Sequence, residues 1–91
     1  MAVITVQSES GDRYLVVVKD GAGSSQHRVT VSPGYHQALT GGTISAEALV
    51  RRSFEFLLDR EPNTSILQTF DLKVIGTYFP EYEETIGKQA S

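Results

Sequence analysis

Two histidines, His27 and His36, are the only side chains in these 91 residues whose ordinary pKa lies near neutrality. They stand nine residues apart on different elements, and no acid lies at metal-ligand spacing from either. The simple reading is a strand-face histidine and a surface histidine beside Tyr35. Catalysis by either would require a pocket shared with a carboxylate. The chain has no cysteine, which excludes a thiolate nucleophile, a thiolate metal site and a disulfide. Gly21-Ala22-Gly23-Ser24-Ser25 has the look of a phosphate loop, but such loops pass from a strand into a helix and this one joins two strands. It reads as a flexible hairpin tip. Glu81, Glu83 and Glu84 form the densest acidic group, near a chain end and beside Lys88, and read as a solvated face. Asn63-Thr64-Ser65 fits a glycosylation acceptor, and more simply a helix cap. No catalytic residue, metal site or cofactor is assigned.

Contact chemistry is better represented. Tyr78-Phe79-Pro80-Glu81-Tyr82 either completes the core and turns the chain or offers an aromatic contact surface, since Tyr and Phe are favoured at interface centres. Arg51-Arg52 is the one adjacent basic pair, suited to a partner's carboxylates or phosphates, although Glu47 and Glu55 at helical spacing account for Arg51 alone. Tyr78, Phe79, Tyr82, Arg51 and Arg52 are the candidate interaction residues.

Charge is unevenly placed. Residues 1–60 balance six acids against six bases, whereas residues 61–91 hold Glu61, Asp71, Glu81, Glu83 and Glu84 against Lys73 and Lys88. The whole net charge of −3 is therefore C-terminal. Phosphate-backbone binding calls for clustered Lys and Arg, which disfavours nucleic acid as a principal partner.

The elements that must position these groups follow from periodicity. Residues 2–8 alternate as a half-buried strand. Residues 13–19 carry five consecutive apolar positions, Tyr14 to Val18, which reads as a central strand covered on both sides. Residues 26–32 alternate again, and short turn-rich loops make the three an antiparallel meander. Ser32-Pro33 signals a short helix over 34–39, stopped by Gly41-Gly42. Ser45 caps the clearest helix, about 45–60, with Leu49, Val50, Phe54, Leu57 and Leu58 on its apolar face. Ile66, Leu67 and Phe70, then Leu72, Ile75 and Phe79, predict one helix or two over 65–79, with a last turn over 81–86. The expected architecture is α+β in one domain, residues 1–86, followed by a frayed tail over 87–91.

The run Ser53-Phe54-Glu55-Phe56-Leu57-Leu58-Asp59-Arg60-Glu61-Pro62-Asn63-Thr64-Ser65-Ile66-Leu67, with Phe70-Asp71-Leu72 and Tyr78 to Tyr82, resembles a family of short bacterial proteins of unassigned function. The resemblance covers roughly residues 26–86 and implies no activity or cofactor. Gly42-Thr43-Ile44-Ser45-Ala46-Glu47-Ala48-Leu49 is similar in outline to HicB-type antitoxins, where strands precede a Gly-x-Thr segment and an amphipathic helix. The Pro-Asp-Leu-Pro-Gly segment of that type is replaced by Ser32-Pro33-Gly34-Tyr35-His36.

Taken together, these features predict a small non-catalytic protein-interaction or regulatory module, with a nucleic-acid-binding or antitoxin-like regulator as the alternative. No basic leader, h-region or membrane-length apolar run is present, which places the expectation in the cytoplasm and off the membrane. Apolar residues on both sides of strand 13–19 further predict a homodimer through a sheet face or edge, unless the helices cover both faces.

Overall fold

A computed structural model describes residues 2–21 and 23–90. It is an α+β fold, with β1 (Val3–Ser8), β2 (Arg13–Asp20) and β3 (Gly23–Thr30) antiparallel in order. Gly11, at φ 62°, turns the first hairpin, and Glu9 N–H donates to Arg13 C=O at 2.9 Å to close it. Gly21 follows β2 in a turn; of the tip read from the sequence, Ala22 lies outside the described residues. Residues 23–25 belong to β3 rather than to a flexible tip.

Ser32 caps α1 (Pro33–Thr40), its Oγ accepting from Tyr35 N–H, and Gly41 ends the helix in the left-handed region at φ 64°. Ser45 Oγ accepts from Ala48 N–H at 3.1 Å to start α2 (Ala46–Leu58). These are the caps expected from sequence.

The stretch 65–79 folds differently from the expectation of one or two helices. After a 3-10 turn at Asn63–Ser65 it holds a short strand β4 (Thr69–Asp71) and a short helix α3 (Val74–Tyr78). β4 pairs with β3 in parallel, making the sheet four-stranded and mixed rather than a three-stranded meander. Arg28 N–H donates to Gln68 C=O at 2.7 Å and Leu72 N–H to Thr30 C=O at 2.9 Å. These long-range bonds override the helical spacing of Ile66, Leu67 and Phe70, since a short apolar run fits either period. A last helix, α4 (Tyr82–Ala90), continues past Ile86 through most of the segment read as a tail; Ser91 lies outside the described residues.

β2 is internal, as expected, but it is covered on one side only. Val6, Val16, Val18 and Val29 are buried on the face that meets Leu49 and Phe54 of α2 and Tyr82 and Ile86 of α4. On the other face Thr5, Gln7, Gln26 and Arg28 are exposed and Leu15 and Val17 half-buried. No helix among the described residues is long and apolar enough to cross a membrane.

Candidate functional site

The structure divides the five residues singled out from sequence. Tyr78, at the end of α3, is 66% exposed. Phe79 is half-buried, its ring edge-on to Phe56 with centroids 5.9 Å apart. Tyr82 is wholly buried and does not belong to any open contact surface. As the first residue of α4 it turns inward under α2, 5.3 Å from the Phe56 ring, and its hydroxyl shares a 2.6 Å hydrogen bond with Ser53 Oγ. Burial pushes the Tyr82 phenol well above its ordinary value, against the opposing pull of the Ser53 bond. Tyr35 is raised in the same direction, first by burial and then by donating at 2.8 Å to Glu83.

The basic pair lies elsewhere. Arg51 reaches from α2 to the opposite sheet edge and donates from Nη1 to Ile4 C=O at 2.6 Å. Arg52 is half-buried and, with Glu47 and Glu55, lines a shallow depression on the same helix. Arg60 is held over the Phe56 ring at 3.6 Å and donates to Phe56 C=O at 3.1 Å. Arg51 and Arg52 therefore lie apart from the aromatic segment, whereas Arg60 meets it through Glu81, whose Oε2 is 3.4 Å from Arg60 Nε.

Tyr78 instead stands at the lip of an apolar groove of about 390 Å³. Its walls include Leu57, Ile66, Phe70, Ile75 and Phe79, together with Glu61. Leu67, 48% exposed, also lines it.

A second cavity, of about 450 Å³, lies where β4 is too short to cover β3. Ser25, His27 and Asn63 meet there. His27 is only 2% exposed, and its ring lies 5.2 Å from Phe54. Its Nδ1 is 2.7 Å from Leu67 C=O, and a carbonyl can only accept, so Nδ1 carries the proton. Nε2 of the neutral ring then accepts from Ser25 Oγ at 2.8 Å, and Ser25 Oγ accepts from Asn63 Nδ2 at 3.1 Å. This network was missed from sequence. Ser25 and His27, two apart on a strand, must share a face, which was a readable signal. Nothing local announces that Asn63 and the Leu67 carbonyl come to meet them. His36 is accounted for by Ile44 C=O, 2.6 Å from its Nε2, which ties α1 to the loop before α2.

Comparison with protein families, with characterised proteins and with solved structures finds no match for this chain. Its function must be argued from its own geometry.

Proposed function

We propose that this chain is a small cytoplasmic protein-interaction module of regulatory type, which takes an apolar side chain from a basic segment of another protein into the groove beneath Tyr78. The carrying observation is that Tyr78 and Leu67 are exposed and line the same groove as the buried Ile66, Phe70 and Ile75. An exposed aromatic beside a partly open apolar pocket is the usual form of a contact anchor. Charge selects the partner: Glu61 lines the groove, and residues 61–91 hold five acids against two bases. A nucleic-acid reading requires Arg51 and Arg60 to leave Ile4, Phe56 and Glu81.

The test is titration of ¹⁵N-labelled protein with two short peptides, each with one leucine, flanked by lysines in one and by glutamates in the other. The lysine peptide should shift the Leu67, Ile75 and Tyr78 amides, and Tyr78→Ala should weaken it about tenfold or more. Equal binding of both peptides, or shifts confined to α2 and β1, would refute the groove.

Self-pairing is a second reading, favoured by the free edge of β1. The Glu9–Arg13 bond sets the ladder phase, so Ile4, Val6 and Ser8 turn their N–H and C=O groups away from β2. Arg51 occupies Ile4 C=O, while the chain from Val3 to Ser8 carries no charge or proline to deter a second copy. Sedimentation at micromolar concentration distinguishes a monomer from such a dimer.

A further inference from the structure

The cavity beside β3 goes beyond an interaction role, because the groups in its wall are arranged as a nucleophilic site. Ser25 Oγ is 2.8 Å from His27 Nε2, and His27 Nδ1 is 2.7 Å from Leu67 C=O. A hydroxyl is thus bonded to an imidazole whose tautomer and orientation are set by a third group, the relation that activates a serine. The orienting group is a main-chain carbonyl in place of the carboxylate that the sequence made a condition for catalysis. A carbonyl still holds the proton on Nδ1 and favours the imidazolium that forms when Nε2 takes a proton.

Two donors lie beside Ser25, the first of them also facing Val18 C=O at 3.5 Å. Asn63 Nδ2 is 3.1 Å from Ser25 Oγ. The second is the N–H of Gln26, the residue after the serine. Val31 N–H donates to Asp12 C=O at 2.9 Å, which sets the β2–β3 phase, and Arg28 N–H, two residues from Gln26, donates away from β2 to Gln68. Gln26 N–H therefore points away from β2, at the β3 edge that β4 leaves open, and Gln26 lines the cavity there. Side-chain amides and backbone N–H groups in this relation stabilise an oxyanion.

We propose that Ser25, His27, Asn63 and the Gln26 N–H form a hydrolytic site for esters of small carboxylic acids. The Ser25 proton passes to His27 Nε2 as Oγ bonds to the ester carbonyl carbon, and the carbonyl oxygen becomes an oxyanion between Asn63 and Gln26. Collapse breaks the ester C–O bond, and the departing alkoxide takes the proton from His27. Water then repeats the sequence on the acyl-serine, releasing the acid and restoring Ser25. The cavity, about 450 Å³, has room for a small acyl group; Ser24, Thr64 and Gln68 around it are uncharged and polar, and Arg28, which also lines it, is paired with Glu9.

The experiment uses the full chain with p-nitrophenyl acetate, following p-nitrophenol release and mapping the acetylated residue by mass spectrometry. Acetyl should appear on Ser25, and Ser25→Ala, with an unchanged melting curve, should reduce release by roughly 10²-fold or more. Asn63→Ala should lower kcat about tenfold to a hundredfold with KM little altered. A fluorophosphonate probe gives a readout independent of any substitution: Ser25 should be labelled in the native chain and not in urea. Release unchanged in Ser25→Ala, acetylation confined to lysines or the N-terminus, or a folded chain with neither turnover nor label overturns the proposal.

Discussion

The polar cavity and the apolar groove share one stretch of chain, residues 63–70, with Ile66 lining both, and are held in opposite ways. In the cavity, Asn63, Ser25, His27 and the Leu67 carbonyl bond in sequence, each group with a defined direction. In the groove, Leu67, Phe70, Ile75 and Tyr78 meet through apolar surface alone. Leu67 takes part in both, its carbonyl facing His27 and its side chain lining the groove. Buried hydrogen bonds are directional and costly to leave unmade, so the polar side sets the register of 63–70 against β3. Dispersion and apolar burial are not directional, so the groove can accept foreign surface without disturbing the sheet.

The heaviest test of that division is Phe54, which lies under both regions. It is wholly buried, 5.2 Å from His27 on the cavity side and 6.0 Å from Phe70 on the groove side. Phe54→Ala should cost about 3–5 kcal/mol, much of the stability of a small domain, and should lower the urea midpoint sharply. If only one region loosens, as read from amide exchange of Leu67 and Tyr78 against that of His27, the two do not share a foundation.

These regions differ equally in how far they could be read from sequence. Alternation in β1 and β3 and the Ser45 cap of α2 are local signals, and the structure follows them. β4 is not local: three residues gain strand geometry only because β3 leaves a parallel edge for them. Tyr78 and Tyr82, both drawn from one aromatic run, had the same standing in sequence. Their separation into an exposed and a buried residue depends on where α4 docks, which no short window encodes. The cavity was least legible, since Ser25 and Asn63 look like turn and cap residues until a long-range fold makes them neighbours.

A smaller effect separates the groove floor from the cavity through pH. Tyr82 packs behind the groove against Phe56, and its phenol is raised from an ordinary value of 10.0 chiefly by burial. With the folded value above the unfolded one, its contribution is intact below about pH 10 and is lost as the unfolded chain ionises above it. Stability in urea should therefore fall from pH 10 upward, in addition to any loss from Tyr35. Tyr82→Phe should lower stability at neutral pH by about 1 kcal/mol through the lost Ser53 bond, yet flatten the alkaline decline. An identical alkaline slope in the variant would place the ionising group elsewhere.

The smallest expected effect on stability falls on Tyr78. With 66% of its surface in water, the ring contributes little apolar burial to the fold, and α3, at five residues, does not depend on it for packing. Tyr78→Ser should change unfolding free energy by no more than about 0.5 kcal/mol, as exposed substitutions generally do. The same change removes one lip of the groove, so the lysine-flanked peptide should lose affinity while the melting curve stays in place. Leu67→Ser makes the companion test. Its carbonyl belongs to the main chain and survives the substitution, so the bond to His27 Nδ1 should persist. Loss of peptide binding in both variants, with the His27 ring signals unmoved, would confirm that the groove and the cavity are separate. Displacement of those signals by Leu67→Ser would instead mean that a partner seated in the groove acts on His27 through the shared residue.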